Sequence, residues 1–89
     1  MITKPEKQLI KSVIGGRYAL IIQKELIECN EFNKNGAPYS TGHITNVMNG
    51  EAHKIIESAI YRVFKNRLEI RKKRERLLNK KSIEKIIGS

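Results

Sequence analysis

Eighty-nine residues with a formal net charge of +9, 30% charged and 39% hydrophobic, make one domain, or a small domain plus an extension, around a small core. A single cysteine excludes an internal disulfide, and the scarcity of Tyr, Phe and Trp excludes an array of aromatic platforms for stacking single strands. No apolar run approaches twenty residues and no signal peptide is evident, so an intracellular protein is expected.

Thr3-Lys4-Pro5-Glu6 has the spacing of a capping box, in which the Thr hydroxyl and the Glu carboxylate satisfy free amide donors. Leu9, Ile10, Val13 and Ile14 follow at helical spacing, and Gly15-Gly16 stops this first helix. A second helix is predicted from about Arg17 to Asn30, with Tyr18, Ile22 and Leu26 stacked and Ile21 and Cys29 beside them. Cys29 is therefore expected to be a small core residue rather than a reactive thiol. Asn35-Gly36 and Pro38 are turn formers. Their flanks lack the alternating β-branched residues of strands, which favours an irregular turn over a hairpin.

Ser40 caps a short third helix whose Ile44, Val47 and Met48 share one side, and Asn49-Gly50 ends it. After a brief break that His53 is expected to close, Ile55, Ile56, Ala59, Ile60, Val63 and Phe64 form the wide apolar stripe of a fourth helix. No Gly or Pro occurs between Gly50 and Gly88, so this helix is predicted to continue through "KNRLEIRKKRERLLNKK", with Glu69 and Lys73 in the favourable order. Ser82 is a candidate cap for a last apolar turn. The stripe thins to Leu68, Ile70, Leu77 and Leu78, interrupted by Arg67, Arg71 and Arg74, so the helix either projects into solvent or pairs with a second copy. Ile56, Ile60, Val63, Arg67, Ile70, Arg74 and Leu77 keep a four-three spacing, but two Arg among them make a poor coiled coil.

The charge is unevenly distributed. Residues 1–36 are net +2, residues 37–61 net −1 and residues 62–89 net +8. A bias of this size points to a polyanion, nucleic acid before an anionic membrane. The third helix, by contrast, carries no Lys, Arg, Asp or Glu at all. Opposite its apolar side lie Gly42, Thr45, Asn46 and Asn49, with His43 at the flank. Asn pairs bidentately with adenine in the major groove, Thr offers a hydroxyl or methyl to a base edge, and Gly lets the backbone come close. A polar helix face commonly does no more than meet water. An uncharged one in a chain charged for nucleic acid favours base reading, with phosphate contacts supplied elsewhere. Arg62, Lys65, Lys72, Lys73, Arg76 and Lys80 fall within an arc of about 100° and are expected to follow a phosphate backbone.

The stretch "YSTGHITNVMNGEAHKIIESAIYRVF" resembles the helix-turn-helix core of phage-repressor and Cro-like regulators, the XRE-type group. The matching positions are Ile44, Val47, Asn49 and Gly50, then Ile56 and Ala59, and the likeness covers about residues 16–66. The "N-G-x-P-Y-S" pattern before the helix is similar to that of small proteins of Bacteroidetes phages and mobile elements. The resemblance implies that residues 17–30 form a supporting helix and 41–49 a recognition helix. The chain departs from it in two ways. The connection between these helices is longer than the usual three or four residues, and the Gln that opens the supporting helix in many relatives is not evident.

The expected fold is all-α: a four- to five-helix helix-turn-helix domain over residues 1–66 with an extended basic C-terminal helix over 67–89. The expected function is sequence-specific binding of double-stranded DNA by a small phage-type transcriptional regulator acting as a homodimer, located with the nucleoid of a bacterial host. Base readers are expected to be Thr41, His43, Thr45, Asn46 and Asn49. Phosphate contacts are expected from Tyr39, Ser40, Lys54, Arg62, Lys65, Lys72, Lys73, Arg76 and Lys80. The alternatives are a phage structural or assembly protein that uses the basic helix for packing, and an RNA or anionic-membrane binder that uses residues 62–81 alone. With two His, one Cys, no Asp and no glycine-rich phosphate loop, no enzymatic activity, metal, cofactor or small-molecule substrate is expected.

Overall fold

The computed structural model describes the backbone of residues 1–87 and the side chains of residues 1–77. Its order is α1 (Lys4–Ile14), α2 (Tyr18–Glu28), α3 (Thr41–Met48) and α4 (Lys54–Ile87), an all-α arrangement with a long C-terminal helix. The side chains of Lys80 and Ser82 lie outside the described residues. The backbone of α4 runs through position 82 without a break.

Local signals set most of the boundaries. Thr3 caps α1 with a complete capping box, its hydroxyl accepting from the Glu6 amide while the Glu6 carboxylate accepts from the Thr3 amide. α2 stops earlier than predicted. Asn30 takes a left-handed conformation at φ 57°, its amide bonds the Ile27 carbonyl, and the Glu31 amide bonds the Leu26 carbonyl. This is the Schellman arrangement with Asn in place of the usual Gly. α3 ends the same way: Gly50 at φ 113° bonds Val47 and the Glu51 amide bonds Asn46. Residues 33–37 form an irregular turn in which the Asn33 side-chain oxygen accepts from the amides of Asn35 and Ala37.

The core collects Ile10 and Ile14 of α1, Tyr18, Ile22 and Leu26 of α2, Ile44, Val47 and Met48 of α3, and Ile56, Ala59, Ile60 and Val63 of α4, joined by Ile2 and Tyr39. Burial of each large aliphatic side chain here contributes roughly 1.5–3 kcal/mol. Leu9 and Ile55, predicted to belong to this set, are exposed because the helices around them leave those faces uncovered.

α1 lies alongside α4 in the same direction. The Met1 ammonium pairs with Glu57, the Tyr61 hydroxyl donates to Glu6 at 2.9 Å, and Ser12 and Val13 line a groove with Arg67, Ile70, Arg71 and Arg74. Leu68 is the last partly covered residue of α4 among the described side chains; every residue from Glu69 to Leu77 is exposed. That part of the helix therefore projects beyond the core.

Cys29 is not a core residue. It is the C-cap of α2, exposed, and its thiol donates to a Glu25 carboxylate oxygen at 3.0 Å. That hydrogen bond, then partial burial and the Glu25 charge, pushes the thiol above its ordinary range. The expectation of an unreactive thiol keeps a physical basis, but through this carboxylate and not through packing.

Candidate nucleic-acid interface

α3 is short, and its placement depends on what holds its two ends. At the N-terminus the Ser40 hydroxyl oxygen accepts from the His43 amide at 3.1 Å, which leaves the Ser40 proton free to donate outward. One residue earlier, the Tyr39 carbonyl accepts from Gln23 Nε2 at 2.9 Å, bracing the start of α3 against the middle of α2. The Tyr39 ring is buried and meets the His43 and His53 rings edge-on, with centroids 5.8 and 5.1 Å away. His53 in turn starts α4: its Nδ1 accepts from the Ile56 amide at 3.2 Å, and its own amide donates to Glu57 at 3.0 Å.

The C-terminal end of α3 is held by α1. The Lys7 ammonium donates to the Asn49 side-chain oxygen, and Gly50 sits against the Ile2 carbonyl. Between these anchors, Ile44, Val47 and Met48 point into the core. Gly42, Asn46 and Asn49 are exposed, while Thr41, His43 and Thr45 are half-buried.

The predicted base readers thus separate by what their polar atoms already do. Among the described residues Asn46 has no side-chain hydrogen bond, so both its donor and its acceptor face outward. Asn49 has its oxygen occupied by Lys7 and keeps only its amide donor. The Thr45 hydroxyl donates to the Thr41 carbonyl at 2.9 Å and retains an acceptor and a methyl. His43 meets both the Tyr39 and the His53 ring edge-on, the three forming a triangle, and its Nε2 is 3.5 Å from Glu51.

The predicted phosphate-contacting residues separate as well. Tyr39 is a core side chain whose ring packs on those of His43 and His53, and only a small part of it reaches the surface. Arg62 is turned to α2, 2.6 Å from Glu31 and 3.6 Å from Glu25, and its charge is already matched. The left-handed turn at Asn30 is what swings Glu31 into its reach. Ser40 is exposed at the N-cap of α3, and Lys54 is exposed as the first residue of α4. Lys65, Lys72, Lys73 and Arg76 are exposed, and Glu69 shares a shallow groove with the last three. At 100° per residue this stripe, on which Lys54 also falls, lies roughly opposite Ile56, Ala59, Ile60 and Val63, on the side of α4 turned away from the core.

Two contributors have no local sequence signal. Lys7 belongs to the first turns of α1 and meets Asn49 only because α1 and α3 come together. Gln23, mid-helix rather than at the start of α2, is recognisable only once Tyr39 is placed. Among the described residues no helix is long and apolar enough to cross a membrane, and no group of three His, Cys, Asp or Glu side chains is placed to hold a metal. Comparison with protein-family models, curated proteins and solved structures returned no match.

Proposed function

We propose that the chain binds double-stranded DNA in a sequence-dependent manner, with α3 as the reading helix and α2 as its support. The observation that carries this reading is the exposed face of α3. It is uncharged, bears an unengaged amide at Asn46 and a bare backbone at Gly42, and is anchored at both ends in a chain of net charge +9. Neutral donors and acceptors specify bases, while cations around them position the duplex. Lys7 and the outward proton of Ser40 flank that face and supply the nearest phosphate contacts. In this reading the chain is a small regulator of the phage-repressor type. A homodimer would present two such helices to half-sites about 34 Å apart.

Selection on random duplexes tests this directly. The expected result is a short motif that degrades at one or two positions when Asn46 is changed to Ala, at a cost of about 1–3 kcal/mol. Uniform weak binding with no motif would refute base reading by α3.

A further inference from the structure

We propose that the groove between the C-terminal end of α1 and the inner face of α4 is a second phosphate-binding surface, seating the backbone of the duplex that α3 contacts. This inference rests on the reading of α3 as a DNA-binding helix. The core face of α4, Ile56, Ala59, Ile60 and Val63, does not end with the core. Continued at the same helical spacing it becomes Arg67, Ile70 and Arg74, with Arg71 beside them. These residues line an open groove of about 400 Å³, walled on the α1 side by Ser12 and Val13.

The chemistry of this groove differs from that of its neighbours. On the α2 side of α4, Lys24 and Arg67 share a smaller groove with Glu25 and Glu28, and Arg62 is paired with Glu25 and Glu31. The α1-side groove has three guanidinium groups and no carboxylate in its lining. Glu75, 3.8 Å from Arg71 in a well-exposed pair, offsets little. The two faces of the projecting helix also differ in residue type. Three of the four cations on the outer stripe are Lys, whereas all three on the inner face are Arg. The planar guanidinium fork binds phosphate oxygens bidentately, where an ammonium acts as a point charge. Ser12 does not compete for that role, because its hydroxyl donates to the Leu9 carbonyl at 2.6 Å. Ile70, 49% exposed, gives the groove an apolar floor on which sugars can rest.

α1 ties the groove to the end of α3. The inner face looks toward the core, to which α3 contributes Ile44, Val47 and Met48, whereas the Lys-rich stripe looks away from it. Lys7, which holds Asn49 at the end of α3, lies five and six residues before Ser12 and Val13, so the groove begins about 7.5–9 Å along α1 from that contact. A duplex lying on the Asn49 end of α3 therefore meets the groove within one helical turn of about 34 Å.

The test compares two full-length triple variants of equal charge, Arg67→Gln/Arg71→Gln/Arg74→Gln and Lys65→Gln/Lys72→Gln/Lys73→Gln, on a selected duplex of about 25 base pairs across a salt series. All six side chains are exposed, and circular dichroism verifies that helix content is kept. The inner triple is expected to lower the slope of log affinity against log salt by about 2–3, near 0.9 for each phosphate no longer neutralised, and to weaken binding at least about tenfold with the motif unchanged. The outer triple is expected to change the slope by less than about 1. Equal losses in both triples would reduce the groove to diffuse charge and overturn the proposal. So would an unchanged slope in the inner triple accompanied by loss of self-association, which would make a protein segment the occupant. If the unaltered chain binds no duplex at all, the reading of α3 fails, and this inference with it.

Discussion

Gly42 separates function from stability more cleanly than any other position on α3. It lies one residue into the helix, where glycine is a poor choice, and nothing in the fold asks for it. A Cβ built there meets only Ser40 Oγ, at 3.9 Å, an ordinary contact, and the backbone is in the helical range. Gly42→Ala therefore adds no strain and removes conformational freedom from the unfolded chain. The expected gain is about 0.4–1 kcal/mol. For a domain of this size that raises Tm by roughly 2–8 °C. If the bare backbone is there so that α3 can sit against a groove edge, the same methyl should weaken DNA binding about tenfold, near 1.4 kcal/mol in the opposite direction. Thermal unfolding followed by circular dichroism and fluorescence anisotropy on the selected duplex measure the two quantities on one sample. A lower Tm would show that the glycine is structural. A higher Tm with unchanged affinity would show that this end of α3 does not approach the duplex, and the proposed docking would fall.

Ser40 gives a second separation: Ser40→Ala loses the cap and should cost about 1 kcal/mol of stability, whereas Ser40→Asp keeps the cap but should weaken binding by repelling phosphate; unfolding and binding curves that move together in both variants would contradict this. Ile60→Ala, at a fully buried position, should cost about 2–5 kcal/mol in urea unfolding, and a loss below about 1 kcal/mol would mean that α4 is not packed as described. The Glu6 carboxyl is held below its ordinary value by hydrogen bonds from the Thr3 amide and hydroxyl, then from Tyr61. Its stabilisation is therefore present above the ordinary carboxyl range and is lost as pH falls through the lowered value. Glu6→Gln, which can still close the capping box, should flatten the fall of Tm between about pH 5 and 3, and an unaltered fall would remove Glu6 from the explanation. Glu25→Gln should speed alkylation of Cys29 several-fold near pH 8 by releasing the thiol proton, while equal rates would show that Glu25 does not hold it.

The candidate site was legible in the sequence where a residue's role depends on its near neighbours. Ser40 as a cap, the uncharged face of Gly42, Asn46 and Asn49, and the apolar side of Ile44, Val47 and Met48 all follow from helical spacing within two turns. The roles that changed belong to side chains whose partners are distant in the chain. Tyr39 looked like a polar residue ahead of a helix, and two histidine rings on α3 and before α4 draw it into the core. Arg62 looked like one member of a basic stripe, and its partner Glu31 lies 31 residues away. Asn49 looked free, and Lys7 reaches it across 42 residues.

What the sequence determined by itself is therefore the list of helices, most of their ends and the uneven charge. Capping boxes, glycine stops and the unbroken run from Gly50 to Gly88 act over four or five residues and need no tertiary contact. Even there Asn30 intervened, because an Asn can take the left-handed turn as well as continue a helix, and the choice depends on the carbonyls it finds. Only the tertiary structure decided what flanks each face of α4 beyond the core. The helix carries cations on both its sides, and periodicity alone does not say which side the core will cover. Once Ile56, Ala59, Ile60 and Val63 are buried, Arg67, Arg71 and Arg74 fall on the core side beside α1, and the lysine stripe, more conspicuous in the sequence, faces away.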